Sequence, residues 1–431
     1  MKTVLLLCPN DWDADQLARA RNRWQTLYRI VQHGGGAEHS PSTFDALTFV
    51  QETVDRFRCE SAHTVHGVTS SSDYPGCLVS AAVAHELALP GPTPRAVLTC
   101  SHKYYSRIVQ AAATSDATPR FGLVDGVALE SGIVIGHDGA PLSFPLFVKP
   151  VKSWFSQHAR RCDSPRELQK FAASPDVRAH LGSFVTPFNQ LLTRYTDFTY
   201  DGGHLLAEEC LTGTQVTLEG FVHRARVHVL GIVDSVMHPG TLCFQRFDYP
   251  SRLPPDVTQR MVDVAERVIP ATGLDDALFN VELFWDPDSN RVSIIEINPR
   301  MCGQFADLYE LVLGTNTYEI LFALATGQTP PPLVAAGTPY RVAASVPLRY
   351  FSDAFVRRIP SEDDVAAVKR DYPLTLFQTY YRAGQCLSDE DQSDGYSYRY
   401  AVFNLAAPDH TTLLEWSEQI ERRLGFAFDP L

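Results

Sequence analysis

The chain has 431 residues, 45% of them hydrophobic and 20% charged, with a formal net charge of −13. That profile excludes a disordered chain, and its sign argues against a nucleic-acid polyanion as the main partner. At this length one core does not suffice, so two to four domains or lobes are expected. The nine cysteines stand scattered without a CxxC pair, which points to free thiols in a reducing cytosol. The apolar start, Val4 to Cys8, is too short for a signal peptide, and no stretch reaches the roughly 18 apolar residues of a membrane span. A cytoplasmic protein with no membrane partner is expected.

Met1 to Pro9 reads as a buried parallel strand, followed by helical periodicity from Ala14 to Gln32 and a break at Gly34-Gly35-Gly36. This is the β-α start of an open α/β domain. A second amphipathic helix, DALTFVQETVDRF, precedes HTVHGVTSSSDYPGCLVSAAVAHELAL, which reads as strand, loop and helix up to the turn at Pro90-Gly91-Pro92. Thr69 to Asp73 then falls in a loop after a strand, where α/β sheets commonly place ligands, although a solvated serine-rich loop is the plainer reading.

Next, AVLTCSHKYYSRIVQAAA begins as a short strand from Ala96 and runs into a helix with Lys103 and Arg107 on one face. In PLFVKPVKSWFSQHARRCDSPRELQKF an apolar strand ends at Lys149-Pro150, and after a loop Ser164 caps a helix with Pro165 and Glu167 in its first turn. HLLAEECLTGTQVTLEGFVHRARVHVLGIVDS reads as several strands broken at Thr212 to Thr214. A helix with Arg260, Val264 and Val268 leads to FNVELFWDPDSNRVSIIEINPR. GTNTYEILFALATG is a helix ending at Gly327, with a boundary at Pro330-Pro331-Pro332. The tail holds the strands RVAASVPLRYF and YSYRYAVFNL and a last amphipathic helix around TLLEWSEQIERRLGF.

In residues 279 to 300 the turn formers Asp286 to Asn290 separate two runs rich in β-branched and aromatic residues, a hairpin signal. Alternation puts Asn280 and Glu282 on one face of the first arm, and Ile294, Glu296 and Asn298 on one face of the second. With Trp285 opposite Arg291, Glu282 faces Ile294 and Asn280 faces Glu296, so the two glutamates are diagonal neighbours roughly 6–8 Å apart. Half-buried like charges need compensation, and an oxygen-only set of Glu282, Glu296 and Asn298 suits a hard ion such as Mg²⁺. The alternative is an amphipathic hairpin whose glutamates face solvent while Val281, Leu283, Ile295 and Ile297 form the core.

Taken in order, SHKYYSR, LFVKP, LAEECLTG and VELFWDPDSNRVSIIEINPR fall between about residues 90 and 325, and in this the sequence resembles the ATP-grasp superfamily, carboxylate–amine ligase type. The resemblance implies an α/β (α+β) protein in three parts. An N-terminal open α/β domain spans 1–95, an ATP-grasp region 96–330 divides into a small lobe (about 115–212) and a large lobe (about 213–330), and a C-terminal α+β domain spans 331–431. It implies ATP and Mg²⁺, with Mn²⁺ as an alternative ion. Lys103 and Lys149 become point cations for the phosphates, Lys149 lying at a strand end exposed enough for its loss to cost little stability. Glu208, Glu209 and on to Leu211 become the hinge strand that reads adenine by main-chain and side-chain hydrogen bonds, and Gln215 stands where a ribose-binding carboxylate is often found. Glu282, Glu296 and Asn298 would hold the metal, and Arg300 would stabilise charge on the transferred phosphoryl group or acyl-phosphate, so that Arg300, Glu282 and Glu296 form the catalytic set.

One departure concerns the glycine-rich loop after the second lysine. Here PVKSWFSQHARR has no glycine, and Ser153, Ser156, Lys152 or Arg160 stand as substitutes. For the acceptor, the candidates are VTSSSDYPG, the Arg224/Arg226 pair, Glu219, His238, Arg246 and Gly303. The implied reaction is ATP-dependent joining of a carboxylate, such as an amino acid, to an amine through an acyl-phosphate. Alternatives are a carboxylase-like or phosphotransferase enzyme of the same fold, or a non-catalytic ATP-binding protein. Small-molecule carboxylate and amine partners are expected, and a homodimer is left open.

Overall fold

The computed structural model describes residues 1–19, 24, 26–36, 43–59, 64–154, 157–241, 243–333, 337–390 and 392–431. Its first sheet is parallel, in the order Tyr28–His33, Lys2–Leu7, Gly67–Thr69. Val4 to Leu7 are 0% exposed because the central strand of a parallel sheet is covered on both faces. The helix expected from Ala14 to Gln32 is shorter: it spans Asp11–Arg19, and Tyr28–His33 is a strand. The aromatic and β-branched run Tyr28, Ile30, Val31 outweighs the helical period there, since the Lys2–Leu7 edge supplies a hydrogen-bonding partner. Residues 20–23 and 25 of the expected helix lie outside the described residues.

The strand expected from Ala96 is instead part of the helix Pro94–Ser101. Thr93 caps it by accepting from the Ala96 N–H, and Pro94 sits in its first turn, so termination chemistry decides against the apolar run. A second helix, Lys103–Ala113, follows directly. Beyond it lies an antiparallel four-stranded sheet in the order Phe121–Val124, Leu205–Glu209, Leu146–Pro150, Arg160–Cys162. Ser164 caps the helix Pro165–Ala172 by accepting from the Glu167 N–H.

The third sheet has eight antiparallel strands. Their order is Arg291–Asn298, Ala277–Asp286, Thr214–His223, Arg226–Met237, Phe244–Tyr249, Val342–Tyr350, Tyr398–Ala407, Leu374–Thr379. The strands after residue 341 thus continue this sheet, through the pairing of Phe247 with Ser345. One face of it, with Val216, Leu218, Val281, Leu283, Ile294 and Ile297, packs on Val257, Met261, Val264 and Val268 of the helix Pro255–Ala271. Among the described residues no helix is long and apolar enough to cross a membrane.

Side chains from the helix Asp11–Arg19, from the helical segment between 306 and 325 and from the strand Tyr398–Ala407 meet in a buried polar network. The Asp307 carboxylate, 0% exposed, pairs with Arg19 and accepts from Gln16 Nε2 (2.6 Å) and Asn404 Nδ2 (3.4 Å). Tyr318 donates its hydroxyl to Asp13 (2.8 Å), and Asn316 donates to Gln16 (3.0 Å). Removing one member strands the others without water, so Asp307→Ala should lower the unfolding free energy by about 2–3 kcal/mol. Denaturant titration at fixed pH checks this, and a loss within 0.5 kcal/mol, about what an unremarkable surface site gives, would contradict it.

Candidate active site

The hairpin Ala277–Asp286/Arg291–Asn298 forms, but in a different register from the one the sequence suggests. Asp286 lies opposite Arg291 and Leu283 opposite Ile294; a bulge at Ile295 then places Glu282 directly opposite Glu296, and Asn280 opposite Asn298. The turn is set by Asp286, which accepts from Asp288 N–H (3.0 Å) and the Ser289 hydroxyl (2.7 Å), and by Asn290, which Arg260 and Trp285 both contact. The two carboxylates are therefore closer neighbours than a diagonal pair. The next strand adds Gln215, Thr217 and Glu219, opposite Phe284, Glu282 and Asn280. Directly opposed residues share a face, so all of these polar groups line one side of the sheet while the apolar residues of the same strands fill the other. The solvent-facing alternative does not hold, since Glu282 and Glu296 are half-buried.

Cations gather around this pair. Lys103 Nζ lies 3.1 Å from Glu296 Oε2. Burial pushes the Glu296 carboxyl up, but Lys103 and Lys149 outweigh it and hold the group below its ordinary range. Glu282 is pushed up, by burial first and then by the charge of Glu296, and accepts from Gln215 Nε2 (3.1 Å). Asn298 Nδ2 reaches Asn280, Glu282 and Glu296 only at 3.4–3.5 Å, the long end of hydrogen bonding.

The bulge has a second effect. It frees the Ile295 carbonyl from the ladder, and Arg107 Nη2 (2.7 Å) and Lys149 Nζ (3.5 Å) donate to it. The same two cations clamp Glu208: Arg107 Nε at 2.6 Å and Lys149 Nζ at 2.8 Å. Burial raises the Glu208 carboxyl, yet Arg107 and Lys149 together bring it down to about 2. One expectation is corrected here: Lys149, 6% exposed, is buried rather than superficial. Glu208, 3% exposed, has its side chain paired with two cations. Glu209 pairs with Arg291 (2.7 Å) and its main-chain N–H donates to the Arg120 carbonyl (3.0 Å), so that the connection beyond it begins at Cys210 and Leu211.

Arg300, just past the end of the strand, pairs with Asp73 of the first domain (Nε 3.0 Å, Nη2 2.8 Å), in the loop after Gly67–Thr69. Lys152 Nζ lies 3.6 Å from the other oxygen of Asp73 and over the rings of Tyr74 (4.7 Å) and Phe188 (5.7 Å). Burial raises the Asp73 carboxyl, but Arg300 and then Lys152 hold it far below the carboxylate range. Asp73 lies within the acceptor candidate VTSSSDYPG and Lys152 among the loop substitutes, whereas the sequence places Arg107 only on the face of a helix with Lys103 and gives it no role at the site. Arg107 had a signal, its position one turn from Lys103, whereas Asp73 becomes adjacent to Arg300 only through folding across 227 residues.

The acceptor candidates separate. Gly303 lies beside Trp12 of the first domain, next to Arg300 in sequence. Glu219 is 0% exposed and accepts from the Cys302 N–H; burial pushes it up to about 7. Arg246 pairs with Val236, whereas Thr217 pairs with Val233, so Arg246 points to the opposite face from Glu282. There it is held by Asp248, which also meets His410 (3.0 Å). His238 follows the end of a strand and packs edge-on against Phe351 (4.9 Å). Arg224 and Arg226 stand exposed at the turn beyond His223. In the glycine-free loop, the Ser153 hydroxyl donates to Gln157 O (3.0 Å), and Arg160 is exposed with its guanidinium over Phe171 (5.8 Å). Ser156 lies outside the described residues.

Residues 142–307 match the family model of the ATP-grasp domain. The whole chain adopts that fold: over 100% of its length it superposes on 99% of the L-amino acid ligase from Bacillus licheniformis, with a TM-score of 0.73 at 17% identity. The chain thus carries an ATP-grasp domain and has the ATP-grasp fold. Phosphoribosylglycinamide synthetase from Anaerococcus prevotii is similar over 99% of this chain and 100% of its own (TM-score 0.67, 13% identity). So is biotin carboxylase from Campylobacter jejuni, over 99% and 92% (TM-score 0.66, 12% identity). By sequence, an uncharacterized protein of Sinorhizobium fredii (strain NBRC 101917 / NGR234) is 24% identical over 57% of this chain, a stretch that spans 45% of that relative.

Two outcomes follow from the buried charges. Lys149→Ala leaves Glu208 with one cation in place of two and should cost about 2–3 kcal/mol in denaturant unfolding, more than a surface lysine would. His102 and His180, both buried, are pushed down to about 4, chiefly by burial. The unfolded chain takes up these protons first, near 6.5, so the stability they contribute is complete above that value and is lost as pH falls toward 4. His102→Phe should therefore remove about one proton from the pH slope of stability in that window, measured by unfolding at stepped pH.

Proposed function

We propose that the protein is an ATP-dependent ligase that joins a small-molecule carboxylate to an amine through an acyl-phosphate, releasing ADP and phosphate. The observation that carries this reading is the opposed pair Glu282 and Glu296, bordered by Lys103, Lys149 and Arg300. Two carboxylates and one amide do not complete an octahedral shell, and among the described residues no group of three or more His, Cys, Asp or Glu side chains is arranged to hold a metal. An oxygen-only, incomplete set fits Mg²⁺ or Mn²⁺ that takes its remaining ligands from nucleotide phosphates and water. Glu282, Glu296 and Asn298 are the residues that would hold it, and the ion would neutralise phosphate charge.

The remaining roles belong to this chain's own groups. Lys103 and Lys149 border the pair as fixed cations for phosphate oxygens. Gln215, already bonded to Glu282, would meet sugar hydroxyls, and main-chain groups of Cys210 and Leu211 would meet the base. Arg300 would take the substrate carboxylate and steady the charge on the phosphoryl group. In the first step a carboxylate oxygen attacks the γ-phosphorus and the bond to ADP breaks, ADP leaving with the electron pair. In the second the amine nitrogen attacks the acyl carbon, phosphate leaves, and the amine proton passes to solvent or base. The likeness to an L-amino acid ligase supports the ligase class over a carboxylase or phosphotransferase.

Two measurements test this. Glu296→Gln should keep the fold and abolish ADP release, because one charge of the opposed pair is gone; wild-type turnover at any Mg²⁺ concentration would overturn the metal assignment. With ¹⁸O in the substrate carboxylate, label should appear in released phosphate once the amine is added, and label in AMP would refute phosphoryl transfer.

A further inference from the structure

The Asp73–Arg300–Lys152 cluster has capacity that the protein itself does not use. Arg300 spends Nε and Nη2 on a single oxygen, Asp73 Oδ2, and its Nη1 has no hydrogen-bond partner among the described residues. Asp73 Oδ1 has only the 3.6 Å contact with Lys152. The Asp73 side chain is 31% exposed and that of Arg300 18%, so both remain reachable, whereas that of Lys152 is 4% exposed. Arg300 and Lys152 share the single Asp73 carboxylate as their paired partner, and the charge of Glu282 also reaches Arg300.

Such an arrangement complements a zwitterion. The open Nη1 of Arg300 takes a carboxylate, while the adjacent, under-used oxygen of Asp73 accepts from an ammonium two bonds from that carboxylate carbon. Ser70 to Ser72, 5% exposed each, precede Asp73 and hold the loop: Ser70 Oγ accepts from the Ser72 N–H (3.1 Å), and Asn10 donates to Ser71 (3.3 Å). Cys77 Sγ contacts the Asp73 carbonyl at 2.7 Å, fixing the residue's main chain. The Asp73 carboxylate is therefore presented from the hydrogen-bonded start of the helical segment Asp73–Cys77.

We infer that Asp73 is a specificity-determining residue, selecting a carboxylate substrate that carries an α-ammonium over the same acid without it. This rests on the carboxylate-activating function proposed above and adds the substrate class and the residue that reads it. A simple carboxylic acid would satisfy Arg300 but leave the Asp73 oxygen without its donor, and sites built to bond a polar group discriminate strongly against analogues that lack it.

The test uses the full chain with MgATP and hydroxylamine as the trapping amine, so that hydroxamate reports activation of the carboxylate alone. Matched pairs serve as probes: L-alanine and propionate, L-leucine and 4-methylpentanoate, L-phenylalanine and 3-phenylpropionate. Wild type should prefer the amino acid of a pair, and Asp73→Asn should lower the ratio of kcat/KM values by at least about 30-fold, with Asp73→Glu retaining part of the preference. A ratio unchanged within about threefold, whatever the absolute rates, would overturn the assignment and leave Asp73 only a structural partner of Arg300. Melting temperature and ATP affinity of each variant separate misfolding from lost recognition. If wild type activates no carboxylate, the ligase reading fails, and calorimetric titration of the same pairs in the presence of a non-hydrolysable ATP analogue decides on Asp73. Selective loss of amino-acid binding in Asp73→Asn supports the assignment, and equal binding overturns it.

Discussion

The opposition of Glu282 and Glu296 is the constraint on which the rest of the site depends. Two half-buried carboxylates across a strand pair repel and lose hydration, so their presence requires nearby positive charge. The bulge at Ile295 creates the opposition and supplies part of the answer. By freeing one carbonyl from the ladder it draws Arg107 and Lys149 onto the strand, and these two side chains also hold Glu208 of the small sheet. One backbone irregularity thereby couples the acidic hairpin of the large sheet to the strand Leu205–Glu209.

The N-terminal domain enters the same electrostatic system through Asp73, which joins Arg300 of the large sheet to Lys152 of the loop after Lys149. That loop is held by ring contacts rather than by glycine backbone: Trp154 lies edge-on to Tyr74 (6.0 Å) and Phe184 (5.2 Å). Three sheets thus converge on one cluster of charges, and the cluster is built from long-range pairs. Buried ion pairs of this kind add little net stability against a hydrophobic alternative, but breaking one is costly, which ties the relative placement of the lobes to the integrity of the site.

Much of the architecture was legible in the sequence because its signals are local. The α/β class, the caps at Ser164, the hairpin turn at Asp286 to Asn290 and the Gly327 helix end all rest on residues within one or two turns of each other. The departures have local causes that compete. Tyr28–His33 has helical periodicity but found a strand edge, and Ala96 looks like a strand start but follows a Thr-Pro cap. The site was partly legible for the same reason: strand alternation put Glu282, Glu296 and Asn298 on common faces, and the spacing of Lys103 and Arg107 put both on one side of a helix.

By itself the sequence determined the order of motifs, the presence of an acidic hairpin and the basic residues in range of it, since periodicity and turn chemistry are properties of neighbouring residues. Only the tertiary structure decided that the glutamates face each other, that Lys149 and Glu208 are buried against one another, and that Arg246 points to the opposite face of the sheet from the pair. It also decided the contact between Asp73 and Arg300. The reason is physical: a one-residue bulge changes which side chains oppose without changing the alternation pattern, and charge pairing between distant segments depends on where the sheets pack, which no short window of sequence encodes.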